Sequence, residues 1–180
     1  PGEDDIPGLV LIPAAAKQIE IPMIASGGFA DARGLVAALA LGADGINMGS
    51  RFMCTVESPV HQKVKEAIVA GDERGTELIF RTLGNTGRVA SNSVSREVVR
   101  ILADGGRFED VRDLVSGARG ARVYETGDLE AGIWWIGTSM GLIDDIPTVG
   151  TLLSRIIRDA EHLIAGRLQA MVRSPAGADQ

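Results

Sequence analysis

Cysteine is almost missing: Cys54 is the only one in 180 residues. One thiol closes no internal disulfide, and no metal-ligand spacing surrounds it. A reducing compartment is implied, and the cytoplasm is the expected location. Clustered positive charge is also missing. Lys and Arg number 18 against 24 Asp and Glu, a formal net charge of −6. Nucleic-acid surfaces need concentrated positive charge, so no nucleic-acid partner is expected. No apolar run nears the roughly 20 residues of a membrane span, so no membrane role is expected. Histidine is limited to His61 and His162, which leaves few general bases to choose from. What remains is 45% hydrophobic, enough for a globular core.

The apolar pattern is punctuated early. Pro7 to Ile19 reads as a helix blemished by Pro13. Ile21 to Ala25 and Gly45 to Met48 read as short strands buried on both faces. Between them Asp31 caps a helix over Ala32 to Leu41, stopped by Gly42. Strand, helix, strand at this spacing predicts a βαβ unit with parallel strands. Beyond Ser50, helices are expected over Val60–Val69, Thr76–Leu83, Val94–Leu102, Phe108–Val115 and Leu129–Ile143, with a polar loop at Gly84–Gly87. Pro147 opens the longest, with Val149, Leu152, Leu153, Ile156, Ala160, Leu163 and Ile164 on one side.

Two parallel strands cannot cover their own edges and belong to a larger sheet or barrel. A full (β/α)₈ barrel takes roughly 250 residues. The chain therefore reads as α/β and truncated: the C-terminal portion of such a barrel, with its last two strands plus helices. Residues 1–172 form that part of a single barrel domain, with a helical insertion over about 56–146, and 173–180 read as a frayed tail.

Both strands stop on small residues, Ser26-Gly27-Gly28 and Gly49-Ser50. Glycine lets backbone approach a ligand closely. Free N–H groups, helped by a following helix N-terminus, bind phosphate oxygens without a lysine. Loops after the last two barrel strands frequently form such a site. Either turn alone is ordinary; the pair, one helix apart, points to one shared phosphate. The pattern is not GxGxxG, so Rossmann-type NAD binding has no support.

The stretch IPMIASGGFADARGLVAALALGADGINMGSRFMCTVES resembles the C-terminal part of the nitronate monooxygenase family, the former 2-nitropropane dioxygenases. The likeness continues through RTLGNTGRVASNSVSREV and IWWIGTSMGLIDDIPTVGTLLSRIIRDAEHLI. The first stretch is shared with related FMN barrels such as flavin-dependent enoyl-ACP reductases. The resemblance implies FMN as cofactor, with phosphate contacts from Ser26, Gly27, Gly28, Gly49 and Ser50, and Met48 beside them. It implies oxidation of alkyl nitronates or nitroalkanes with O₂ to a carbonyl compound and nitrite, so the partners are a small nitro compound and O₂. The alternatives are NAD(P)H-driven quinone or enoyl-thioester reduction by the same kind of barrel, or a non-catalytic fragment. The family's base is a histidine, and Pro1-Gly2-Glu3-Asp4-Asp5 resembles the turn directly after that histidine; no catalytic residue is then expected within the chain. One departure stands out: Thr138 occupies the place after Gly137 where many relatives carry glutamine.

Other residues invite functional readings and have plainer ones. His61 reads as a solvated or capping histidine and His162 as surface. Cys54 reads as buried and inert. Trp134-Trp135 reads as core packing or an oligomer contact, which leaves a homo-oligomer open. Arg81 and Arg88 read as surface ion pairs, and Asp144-Asp145 as a cap for the last helix rather than a metal pair.

Overall fold

A computed structural model describes residues 5–172. The first four residues of the expected post-histidine turn and the expected tail, 173–180, lie outside the described residues.

The βαβ unit forms as the pattern requires. Helix α1 (Gly8–Ala16) stops earlier than expected and carries Pro13 inside. Strand β1 (Ile24–Ser26) starts beyond Pro22, which has no N–H to give a ladder. Helix α2 (Ala32–Ala40) comes next, with Gly42 at φ +98° turning the chain out of it. Strand β2 (Gly45–Asn47) pairs parallel to β1, with Ile24 opposite Gly45, Ala25 opposite Ile46 and Ser26 opposite Asn47. Ala25, Ala38 and Ala43 are buried between sheet and helices, where small side chains permit close packing.

The last long helix, α8 (Val149–His162), lies against α2. Leu152, Ile156 and Ala160 form its buried stripe, with Ala32 and Val36 facing Ala160 and Met48 facing Leu152 and Ile156. Its cap is Thr148, whose hydroxyl accepts from the Thr151 N–H at 3.1 Å. The distant Glu57 carboxylate also accepts from the Val149 N–H, at 2.9 and 3.0 Å. A π-helical segment, Leu163–Leu168, and α9 (Gln169–Val172) continue it.

The region between holds short helices α3 (Ser50–Met53), α4 (Gln62–Ala70), α5 (Ser93–Ala103), α6 (Phe108–Val111) and α7 (Gly117–Thr126). It is not wholly helical, which corrects two expectations. Thr76–Leu83 is strand β3 (Thr76–Ile79) followed by a 3-10 turn. β3 pairs antiparallel with β4 (Gly87–Ala90), and Phe80 at φ +61° ends it. Leu129–Ile143 is likewise no helix. Trp135 bridges Val89, and the Ala90 N–H donates to the Trp134 carbonyl at 2.9 Å, so this stretch extends the hairpin. The Asn92 amide holds the carbonyls of Leu129 and Gly132 at 2.7 and 2.8 Å, claiming groups a helix would use. Only Thr138–Leu142 turns, as a 3-10 helix. The expected Phe108–Val115 helix shortens to α6, and α7 was not expected at all.

Two tryptophans on extended backbone point to opposite faces, not 100° apart as on a helix. Trp134 is accordingly buried and Trp135 is 51% exposed. No helix among the described residues is long and apolar enough to cross a membrane.

Candidate functional site: a paired glycine rim

Because β1 and β2 run parallel and in register, their C-terminal ends leave the sheet at one edge. Ser26-Gly27-Gly28 and Gly49-Ser50 therefore emerge side by side. The Asn47 Nδ2 donates to Ser26 Oγ at 3.2 Å and ties the two exits together. Gly27 and Gly28 sit at φ +99° and +83°, and a Cβ built on either, or on Gly49, would meet nothing within 4 Å. The rim is open, and its backbone takes a conformation that side chains disfavour. The N–H groups of Gly27, Gly28, Gly49 and Ser50 make no turn or cap hydrogen bond among the described residues. Successive free amides in such turns form an anion-binding concavity.

The expected helix contribution is smaller than the sequence suggested. The Asp31 carboxylate caps α2, accepting from the Arg33 and Gly34 N–H groups at 2.9 and 3.2 Å. Burial opposes its ionisation, but the Arg33 guanidinium and the Gly34 N–H outweigh that and hold the carboxyl below its usual range. Asp31 is thus folded onto its own helix and Arg33, and α2 has no free end for an anion. Helix α3 is a single turn. The anion-holding capacity lies in the turn amides and the hydroxyls of Ser26 and Ser50.

Met48 turns its side chain away from the rim into the core. Its side chain is 8% exposed and packs with Leu152 and Ile156. Only its backbone borders the rim. Ser50 Oγ already accepts the Gly137 N–H at 2.9 Å, so the 137–142 segment docks directly onto the second turn. Thr138, exposed, stands next to that contact.

Behind the rim lies an ion network that the sequence reading missed. Arg51 is only 2% exposed; its Nη1 lies 3.1 Å from Asp145 Oδ1, and its Nη2 donates to the carbonyls of Asp145 and Cys54 at 2.6 and 2.8 Å. Arg155 grips the same carboxylate at 2.6 and 3.0 Å. Asp145 was expected to cap the last helix; Thr148 and Glu57 do that instead. Hydrogen bonds from Arg155, with Arg51 behind them, hold its carboxyl below the usual range against burial. A cleft of about 200 Å³ beside this network is lined by Asp31, Arg51, Asp144 and Arg155 among others, and by none of the rim glycines. Lys65, also buried, gives its ammonium to the carbonyls of Thr55 and Ser58 at 2.7 and 2.8 Å. Arg51 and Lys65 are thus both engaged by backbone carbonyls.

The tempting residues take their plainer roles. His61 caps α4, its Nδ1 accepting from the Lys63 N–H at 3.2 Å. His162 is exposed. Cys54 is fully buried, and burial pushes its thiol up. Arg81 pairs with Asp5, and Arg88 donates to Thr76 Oγ1 at 2.8 Å rather than to a carboxylate. Among the described residues no group of three His, Cys, Asp or Glu could hold a metal ion.

A sequence profile described as nitronate monooxygenase matches residues 3–159. The chain belongs to the nitronate monooxygenase family. A probable nitronate monooxygenase of Staphylococcus aureus (strain JH9) is 29% identical over 86% of this chain and 43% of its own length. A (3aS,4S,5R,7aS)-5-hydroxy-7a-methyl-1-oxo-octahydro-1H-indene-4-carboxyl-CoA dehydrogenase of Rhodococcus jostii (strain RHA1) is also 29% identical, over 84% of this chain and 53% of its own. FabK from Thermotoga maritima superposes with a TM-score of 0.87 at 33% identity, covering 93% of this chain and 53% of that one. The chain thus spans about half the length of the relatives it matches, and its fold is part of an α/β barrel. The nitronate monooxygenase family is one of oxidoreductases.

Proposed function

We propose that this chain is the FMN-phosphate-binding part of a flavin-dependent oxidoreductase acting on alkyl nitronates or nitroalkanes. The observation that carries the reading is the parallel β1–β2 register, which delivers the two glycine turns to one rim. Ser26, Gly27 and Gly28 on one side and Gly49 and Ser50 on the other would hold the phosphate through backbone N–H groups and hydroxyls. The Met48 backbone completes the second turn. Glycines at positive φ with open space above them suit a terminal phosphate monoester.

Bound there, the flavin supplies electron transfer between substrate and acceptor. The chain's own residues bind and orient: the rim fixes one end of the cofactor, and the 137–142 segment, docked on Ser50, borders the space beyond it. By resemblance to the family, we assign the base to a histidine outside the described residues. The nitro substrate and O₂ come from the S. aureus relative's name and the family.

A second reading is favoured by Thr138 and by the R. jostii relative, a dehydrogenase of a CoA thioester. A hydroxyl in place of glutamine changes what borders the substrate, and a thioester with a nicotinamide partner becomes the alternative. The test is anaerobic mixing of the FMN-loaded whole protein with propionate-3-nitronate and, separately, with NADH or NADPH. Bleaching of the flavin by nitronate faster than by either nucleotide supports the first reading. Rapid bleaching by nucleotide alone replaces it with the second. A whole protein that neither purifies with nor takes up FMN removes both.

A further inference from the structure

Ser50 has two things to do with one hydroxyl. Its oxygen accepts the Gly137 N–H at 2.9 Å. Its own proton is donated to no group among the described residues. A hydroxyl that already accepts a hydrogen bond is polarised, and it donates more strongly through the remaining proton. The open space at Gly49 lies next to it, on the rim where the anion is assigned.

The partner segment is held at its other end by different means. Met140 is buried, and its Cε occupies the place where a Cβ on Gly71 or Gly75 would stand, 2.7 and 2.4 Å away. A Cβ on Gly141 would fall 2.6 Å from the Glu73 nitrogen. The far end is therefore keyed by shape into the turn after α4. The near end, next to buried Ile136, meets the rim through one hydrogen bond, to Ser50. Between these two anchors sits Thr138, exposed.

We propose that Ser50 is a positioning residue that couples occupation of the rim to docking of the 137–142 segment, so that the strip carrying Thr138 is held most firmly when a phosphate monoester is in place. This rests on the phosphate reading above and adds a direction to it. An anion that accepts the Ser50 proton strengthens the Gly137–Ser50 contact, and loss of the anion loosens that contact while Met140 stays seated. The segment bordering the substrate space then senses whether the cofactor is loaded.

The test is amide hydrogen exchange of the whole protein, apo and saturated with FMN, with riboflavin or with inorganic phosphate, followed by affinity titrations. In the native protein FMN slows exchange at Gly137 about tenfold, inorganic phosphate does so in part, and riboflavin does not. Amides of 140–142 change little in any state. Ser50→Ala weakens FMN about 10- to 100-fold and abolishes the ligand-dependent slowing even at saturation. Ser50→Thr keeps both. Unchanged Gly137 exchange on FMN saturation overturns the coupling and leaves the phosphate reading standing. Equal slowing in Ser50→Ala and native protein does the same. Failure of FMN to bind the native protein overturns the coupling together with the reading beneath it.

Discussion

Replacing Asp145 by Asn should be the costliest single-charge change behind the rim. The Arg51 guanidinium is 2% exposed and has three partners: the Asp145 carboxylate at 3.1 Å and two backbone carbonyls. Its Nε has none. Removing the partner of a buried ion typically costs about 3–5 kcal/mol, because the orphaned charge stays desolvated. Two features reduce that here. The two carbonyls survive the substitution, and the Asp145 side chain is 37% exposed, so part of the attraction is screened by water. About 2–3 kcal/mol remains for Arg51. The pair with the partly exposed Arg155 adds under about 1 kcal/mol. Urea unfolding of the whole protein at pH 7, followed by tryptophan fluorescence, reads the sum. The pH dependence has a definite sign. The folded Asp145 carboxyl lies below its usual value, so its contribution is complete above the unfolded value of about 3.9 and fades as pH falls through the folded one. The gap between native and Asp145→Asn protein should be constant from about pH 7 to 5 and close below about pH 4. A gap under about 0.5 kcal/mol at pH 7, or one that widens in acid, refutes the reasoning.

Gly28→Ala meets no steric obstacle, yet φ +83° costs an alanine about 1–2 kcal/mol. FMN affinity, measured by quenching of flavin fluorescence, should fall roughly tenfold while riboflavin affinity is unmoved; equal losses for both ligands contradict a phosphate role. Cys54, buried with its thiol pushed up, should resist iodoacetamide at pH 8 in the folded protein and react on unfolding; labelling within minutes in the folded state contradicts this placement.

What the sequence could reveal was what local chemistry decides. The βαβ unit was legible because each part is specified by its neighbours: Asp31 caps α2, Gly42 at positive φ ends it, and the flanking apolar runs are too short for helices. The two turns were legible with the strands, since parallel register fixes which edge they share. The insertion was not legible because its partners are remote. Leu78, Ile79, Phe80 and Leu83 suit a helix face as well as a strand, and only Val89 and Trp135, brought alongside, decide for a hairpin. Asn92 shows the same limit, since it holds carbonyls 37 and 40 residues away. Within the site, Gly27, Gly28 and Gly49 were readable as backbone needs. The direction of the Met48 side chain was not legible, because it answers to α8. Asn47 had a signal, a lone polar residue ending an apolar strand. Arg51 had none, because its partner Asp145 lies 94 residues on.

The position of the phosphate in a crystal structure of the whole protein grown with FMN tests the central claim most directly. The account predicts phosphate oxygens about 2.7–3.2 Å from backbone nitrogens of both Ser26–Gly28 and Gly49–Ser50. A phosphate held by one turn alone, or by the arginines lining the neighbouring cleft, contradicts it.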